Sequence, residues 1–200
     1  MSPTQIEHVV FLALGLGVFV FWLREVRATP SEEAPFWPGT TRCSWQPMLL
    51  AAAGALLLTL VESVLEIQLG VSDEQSRIEA SFLMAMMGAA IVEEITFRGF
   101  AAPESLAGVR LLATVLVGSL VFMLLHGHVV KFAEGGLVLN TDAKALVSGG
   151  SAFAISCWLY LCRFNPLNPT RSLAPSLVGH TVRNLAVFGI KDVQGFVSWN

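Results

Sequence analysis

Two adjacent glutamates and an arginine end an otherwise apolar part of the chain. Glu93, Glu94 and Arg98 close a mostly apolar stretch that begins at Ile78. A charged side chain near the centre of a bilayer costs about 3 kcal/mol or more, so ionisable residues there usually face water or a partner and mark function. Two later apolar segments also carry polar residues, namely His126, His128, His180 and Asn184. We therefore expect glutamate, histidine and asparagine side chains to meet in one membrane interior.

Four of these side chains are suited to hydrolysing a peptide bond. Hydrolysis needs an activated water, donors for the oxyanion and a proton for the leaving amine. Glu93 can serve as the general base, and His126 can orient the same water and carry its proton. His180 and Asn184 can donate N–H groups to the oxyanion, and their spacing of four residues places them on one helix face.

A hairpin argument brings Glu93 and His126 together. If the third and fourth helices are antiparallel around a tight turn at residues 107–109, residues equidistant from that turn lie at equal depth. The midpoint of Glu93 and His126 lies between Val109 and Arg110, inside or beside this turn. The same geometry predicts that His128 points elsewhere on the helix, nearer the membrane surface.

Glu94 has a different predicted role from Glu93. Successive residues of a helix point about 100° apart, whereas residues four apart face each other. We therefore expect Glu94 to form a structural ion pair with Arg98. Phe122, one turn before His126, is expected to pack beneath the site.

The composition indicates a multispanning, all-α membrane protein. Hydrophobic residues make up 54% of the chain and charged residues 14%, and the mean hydropathy is +0.65. A spanning helix needs about 20 mostly apolar residues. We predict six transmembrane helices in a compact bundle, at Glu7 to Leu23, Met48 to Leu69, Ile78 to Leu106, Val109 to Val130, Ala145 to Cys162 and Ser172 to Ile190.

Six such helices use nearly all of the chain. We therefore expect a single integral membrane domain over residues 1–200, with a catalytic core at 78–190. The sequence contains no basic nucleic-acid patch, and the net charge of −3 says little about partners.

The arginines and lysines predict an orientation in the membrane. The first segment has no lysine or arginine before it and no small-residue cleavage site after it, which favours a retained helix. Arg24, Arg27 and Arg42 follow this helix and should be cytoplasmic by the positive-inside rule. Continued through six spans, the rule places seven basic residues inside against four outside. We expect the N-terminus to lie outside.

Three motifs in a fixed order resemble those of a known family. They are EExxxR, FxxxH and HxxxN, and their residues are Glu93, Glu94, Arg98, Phe122, His126, His180 and Asn184. Together they look like the CPBP family, also called Abi or CAAX prenyl protease-like, of intramembrane glutamic endopeptidases. The resemblance implies a compact bundle with a conical cavity open to water, and it covers about residues 78–190.

The family's usual roles carry over residue by residue. They imply that Glu93 and His126 act on the water and that His180 and Asn184 stabilise the intermediate. Glu94 and Arg98 would hold the architecture. No metal and no other cofactor is expected.

The substrate is expected to be a membrane protein or peptide within the lipid bilayer. The short chain looks bacterial, which predicts the inner (plasma) membrane as its location. Its preferred role is protein sorting, by similarity to myxosortase-like enzymes that remove C-terminal anchoring helices. The sequence makes no prediction about oligomeric state.

Three alternatives stay open. The first is a zinc-dependent metalloprotease with Glu93, His126 and His180 as ligands, since two histidines and one carboxylate form an accepted catalytic set. The second is a non-catalytic scaffold or bacteriocin-immunity protein, against which the complete motifs argue. The third is a proton-coupled transporter, which the absence of an inverted repeat disfavours.

Overall fold

Six helices make up most of the described part of the chain. The computed structural model describes residues 1–28, 37–133 and 136–199. The helices are α1 (Pro3–Ala28), α2 (Trp45–Gln68), α3 (Phe82–Glu93), α4 (Gly108–Leu125), α5 (Ala143–Phe164) and α6 (Ala174–Val193), and α3 continues as a π-helical segment, Glu94–Phe100. The minor elements are a 3-10 turn (Ser72–Glu74) and the strands β1 (Ile78–Glu79), β2 (Val130–Ala133), β3 (Gly136–Leu139) and β4 (Val197–Ser198). The predicted all-α class is confirmed, and the described residues form six helices.

Four of the helices are long and apolar enough to cross a membrane, namely α1, α2, α4 and α5. Their mean hydropathies are 2.1, 2.1, 2.2 and 1.5. The regular part of α3 has only 12 residues, and α6 carries the polar residues His180, Arg183 and Asn184. The six helices therefore form two groups: four are long and apolar, and two, α3 and α6, are short or polar.

The third predicted segment, Ile78 to Leu106, is too long at both ends. Its first residues form β1, which pairs in parallel with β4 through Ile78 and Val197. Its helix ends at Phe100, shortly before Pro103. Proline disfavours the helical conformation in the residue before it, which explains the early end.

The fourth predicted segment, Val109 to Val130, is also wrong at its end. Helix α4 stops at Leu125, and Gly127 adopts a φ of +68°. Glycine takes this left-handed conformation without steric penalty and commonly ends helices. The chain then forms the antiparallel hairpin of β2 and β3, in which Val130 pairs with Leu139.

The expected tight turn at residues 107–109 is wrong as well. Residues 101–107 separate the π-helical segment from α4. In the described part of the chain, α4 packs against α5 rather than along α3. The hairpin argument therefore started from helices that are not packed neighbours.

Helices α1 and α3 run parallel and in close contact. His8 Nδ1 is 2.8 Å from Ser81 Oγ, and seven residues later Gly15 lies against Gly88. A Cβ atom on either glycine would collide with the backbone of the other helix. Small residues at such crossings allow close helix approach in membranes.

The other contacts complete an alternating bundle. Helix α6 runs antiparallel to α3, because Asn184 contacts Met86 and His180 contacts Glu94. Helix α5 is antiparallel to α2, since Ser151 contacts Glu62 and Trp158 contacts Ala51. The beginnings of α1, α3 and α5 thus lie at the same end as the ends of α2, α4 and α6. We call this the N-terminal end of the bundle.

Asp142 is the residue just before α5, and its side chain caps the N-terminus of this helix. Its carboxylate accepts a hydrogen bond from the backbone N–H of Ala145 at 2.6 Å, which lowers the pKa of Asp142. An acidic cap at a helix N-terminus satisfies a free N–H group and interacts favourably with the helix dipole. The start of α5 after the hairpin is therefore fixed by a local interaction.

Candidate active site

The two adjacent glutamates lie in different environments. Glu93 is the last residue of α3, and its side chain is 31% exposed in a cavity. Glu94 begins the π-helical segment, and its side chain is completely buried. The predicted difference in direction between these neighbours is present in the structure. Only Glu93 can meet water from the cavity.

Glu94 and Arg98 form the expected ion pair. Arg98 Nη1 donates to Glu94 Oε1 at 3.0 Å, and both side chains are fully buried. The other terminal nitrogen of Arg98 donates to the carbonyl and the hydroxyl of Ser156 on α5. The guanidinium carbon lies 4.6 Å from the ring centre of Phe122 and 4.9 Å from that of Tyr160. Arg98 therefore joins the π-helical segment to α4 and α5.

Glu94 has a second partner that the sequence did not predict. Its Oε1 atom also accepts a hydrogen bond from Nδ1 of His180, at 2.7 Å. A carboxylate can only accept, so Nδ1 of His180 carries a hydrogen. The ring's other nitrogen, Nε2, then lies 3.7 Å from Glu93 Oε2. Glu94 therefore orients a site residue as well as pairing with Arg98.

His126 lies just past the end of α4 and is fixed by a backbone carbonyl. Its Nδ1 atom is 2.7 Å from the carbonyl oxygen of Phe122. Since a carbonyl only accepts, Nδ1 carries the hydrogen, and Nε2 of the neutral ring keeps its lone pair. This tautomer leaves Nε2 available to accept a hydrogen bond from water.

Phe122 lies between the two site histidines. Its buried ring centre is 4.2 Å from that of His126 and 5.9 Å from that of His180. Phe97 from the π-helical segment contacts the same ring edge-on at 5.5 Å. The position of Phe122 agrees with the packing expected for it.

Asn184 is held by the backbone of α3. Its Nδ2 atom donates to the carbonyl oxygen of Met86 at 2.9 Å. An amide nitrogen has two hydrogens, so one N–H of Asn184 remains for another acceptor. This contact fixes the side chain from one side and leaves one donor to act.

One cavity of about 500 Å³ joins these residues. Glu93, His126, His180 and Asn184 all line it, so the four predicted site residues share one space. It extends towards the N-terminal end of the bundle. Although α3 and α4 are not packed neighbours, the cavity between them still brings Glu93 and His126 to the same space.

His128 also lines this cavity, which corrects the expectation that it points elsewhere. Its ring centre lies 6.3 Å from that of His126. The expectation assumed that α4 continues to Val130, whereas the helix ends at Leu125. The turn at Gly127 redirects the chain and with it the His128 ring.

The cavity wall contains charged residues that the sequence argument did not assign to the site. Arg183 on α6 pairs with Glu62 on α2 and donates to Ser151 Oγ at 3.1 Å. Lys191 lies two turns further along α6 than Asn184 and lines the same cavity. The sequence contained one indication that this wall is charged, since Arg183 lies between the two site residues of an apolar segment.

The structure does not group the proposed zinc ligands as a metal site. Over the described residues, no three or more histidine, cysteine, aspartate or glutamate side chains are arranged to hold an ion. His180 Nδ1 is occupied by Glu94, which leaves only Nε2 facing Glu93.

A comparison with known proteins identifies the family. Residues 76–186, more than half of the chain, match the model described as Type II CAAX prenyl endopeptidase Rce1-like. The chain belongs to this family. The resemblance to the CPBP family is thereby confirmed, and the matched residues include all three motifs.

The Rce1-like family implies an integral membrane protein with intramembrane endopeptidase activity. No curated protein and no solved structure matches this chain. Lys191 lies beyond the last residue that the family model matches.

Proposed function

We propose that this protein is a glutamic-type intramembrane endopeptidase with Glu93 as its general base. The observation that supports the proposal is the shared cavity lined by Glu93, His126, His180 and Asn184. Glu93 is exposed to the cavity while Glu94 is buried between Arg98 and His180. One carboxylate is therefore free to act on water, and the other is engaged in structure.

Water is activated between Glu93 and His126. The Glu93 carboxylate removes a proton from the water, while His126 Nε2 accepts its second hydrogen as a hydrogen bond. The water oxygen then bonds to the carbonyl carbon of the peptide, and the carbonyl oxygen becomes an oxyanion. A positioned base of this kind typically contributes about 10²- to 10⁴-fold to the rate.

Asn184 and His180 stabilise the oxyanion. Asn184 offers the N–H that Met86 does not use. His180 Nε2 donates only when it carries a proton, because its neutral ring keeps the hydrogen on Nδ1. The Glu93 carboxyl group, 3.7 Å away, is an adjacent proton source.

The intermediate then collapses to products. The C–N bond breaks, and its electron pair goes to the leaving nitrogen. That nitrogen takes up the proton removed from water, through Glu93 or His180. The products are a carboxylic acid and an amine, and Glu93 and His180 return to their starting protonation states.

The proposed substrate is the C-terminal part of a membrane-anchored protein. The matched family model is named for Type II CAAX prenyl endopeptidases. For this chain we propose a sorting role in which a C-terminal anchoring segment is removed at the bacterial inner membrane. Apolar residues such as Phe11, Phe82 and Ile155 line the cavity beside the polar site, as a membrane-embedded substrate requires.

The proposed orientation places the cavity mouth outside the cell. Five arginines lie at the other end of the bundle, where α1 ends and where α2, α4 and α6 begin. They are Arg24, Arg27, Arg42, Arg110 and Arg171. By the positive-inside rule that end is cytoplasmic. The cavity extends to the N-terminal end, where its lining includes the exposed Ser76. Substrates would therefore be cut on the outer side.

The experiment that tests the function uses Glu93→Gln. Purified wild-type protein in liposomes is incubated with prenylated CAAX peptides and with transmembrane peptides that carry a C-terminal anchor, and products are identified by mass spectrometry. We expect wild-type cleavage of at least one class and a loss of about 10²-fold or more in Glu93→Gln. Glu74→Gln, an exposed glutamate at the same end of the bundle, is the matched control and should cleave normally. Substantial cleavage by Glu93→Gln would rule out Glu93 as the base.

A further inference from the structure

Arg183 is a largely buried cation at the level of the proposed site. It lies on α6, three positions after His180 and one before Asn184. Its side chain is 12% exposed, and that of its ion-pair partner Glu62 on α2 is 13% exposed. Charged side chains are costly in an apolar bundle and are kept there for a function. The proposed reaction uses His180 and Asn184 but gives Arg183 no step.

The guanidinium of Arg183 donates to groups on two other helices. One terminal nitrogen donates to Thr59 Oγ1 on α2 at 3.2 Å. The other donates to Ser151 Oγ on α5 at 3.1 Å and to the carboxylate of Glu62. Ser151 in turn donates to the same oxygen of Glu62 at 2.9 Å. Hydrogen bonds depend on angle as well as distance, so this network fixes the direction of Arg183 relative to α2 and α5.

The same three helices also share a cluster of apolar side chains. Gly179 of α6 lies against Ala51 of α2 and Leu159 of α5. Ser176 adds one hydrogen bond, to the Leu159 carbonyl, about two turns before Arg183. Apolar contacts are not directional, so the bonds of Arg183 add a restraint on the rotation of α6 that its apolar neighbours do not supply.

The rotation of α6 decides where both proposed oxyanion donors point. His180 and Asn184 hold α6 on the side of α3, through Glu94 and Met86. Arg183 holds the same part of the helix on the side of α2 and α5. A side-chain end about 5–6 Å from the helix axis moves about 2 Å when the helix turns by about 20°. A misplacement of about 1 Å can cost about 10²-fold in rate.

We propose that Arg183, through its pair with Glu62, is a positioning residue that fixes the rotation of α6 and so aims His180 and Asn184 at the reacting carbonyl. The inference rests on the proposed endopeptidase function. Replacing a buried ion pair by apolar residues of similar volume is often neutral for stability. A pair that serves orientation is therefore dispensable for folding and needed for rate, whereas a pair that only ties α6 to α2 is needed for folding.

The experiment removes both partners together, as Glu62→Leu with Arg183→Met. Arg183→Met alone would leave Glu62 buried without compensation and destabilise the protein. With a peptide that the wild type cleaves, we expect kcat to fall about 10- to 100-fold while KM changes little. The midpoint of unfolding by SDS should stay close to that of the wild type. Glu66→Leu with Lys144→Met removes an ion pair between α2 and α5 and is the matched control, with unchanged kcat.

Asn184→Ala then tests whether the lost rate passes through the site residues. In the wild type this change removes a donor that is correctly aimed. In Glu62→Leu with Arg183→Met the donor is already misplaced, so the further loss in kcat should be smaller. Equal losses in the two backgrounds would overturn the inference. A double variant with wild-type kcat, or one with a strongly lowered unfolding midpoint, would also overturn it.

NMR spectra of protein with ¹⁵N-labelled histidine test the orientation without any cleavage. The His180 signal, identified by its absence in His180→Ala, reports the hydrogen bond from Nδ1 to Glu94. It should change in Glu62→Leu with Arg183→Met and stay constant in the control; an unchanged signal contradicts the proposed rotation. If the wild type cleaves no peptide while the signal changes as expected, the protease is refuted and the positioning of α6 stands. If the wild type cleaves and the double variant matches it in both measurements, the reverse holds.

Discussion

Replacing Arg98 by methionine should destabilise the protein more than any exposed arginine replacement. Methionine preserves most of the side-chain length but removes the charge that compensates Glu94. Both side chains are completely buried, and Glu94 would keep only His180 as a partner. Removing one partner of a buried ion pair typically costs about 3–5 kcal/mol, because the other charge stays buried without compensation. We expect a loss of that size in the free energy of unfolding.

A second variant tests whether the loss comes from the charge. Glu94→Gln combined with Arg98→Met removes both charges, while the glutamine oxygen can still accept the hydrogen bond from His180. The remaining cost is the pair of hydrogen bonds to Ser156, at about 1 kcal/mol each. The double variant should therefore be about 2 kcal/mol more stable than Arg98→Met alone.

The assay is unfolding by SDS in mixed micelles, followed by circular dichroism. Arg110→Met removes an exposed arginine at the start of α4 and is the matched control, with an expected change within about 0.5 kcal/mol. A loss below about 1 kcal/mol in Arg98→Met would refute the reasoning. A double variant less stable than Arg98→Met would show that contacts other than the charge determine the cost.

Two further predictions concern the reaction. His126→Ala should remove cleavage, while His128→Ala should reduce it only mildly, because the Phe122 ring and carbonyl fix His126 in the site and make no such contact with His128. Equal losses, measured as kcat/KM, would mean that both histidines act on the water. Treatment with EDTA or phenanthroline should leave cleavage unchanged, and elemental analysis should find no stoichiometric metal. If the protein instead contains about one zinc per chain and recovers cleavage when zinc is added back after chelation, the metalloprotease alternative is established.

Much of the fold follows from the sequence because membrane helices are specified locally. A run of apolar residues must form a helix in lipid, where every backbone group needs an internal partner. The six helices were predictable for that reason. Their ends were less so: Pro103 and Gly127 stop the third and fourth helices early, and the pairing of β1 with β4 joins residues far apart in the chain.

The sequence by itself determined which residue types are available for chemistry. Glu93, His126, His180 and Asn184 stand out because polar groups are costly in apolar helices. The four-residue spacing of His180 and Asn184 is a property of one helix. The pairing of Glu94 with Arg98 is predictable for the same local reason. None of these inferences needed contacts between helices.

Only the tertiary structure decided how these residues are oriented. The bond from His180 to Glu94, the bond from Asn184 to Met86 and the position of Lys191 in the cavity all involve separate segments. Helix periodicity fixes the direction of a side chain relative to its own axis, but not the rotation of one helix against another. That rotation is set by packing, as at the contact of Gly15 with Gly88. It determines which nitrogen of His180 carries the hydrogen and which lysine reaches the cavity.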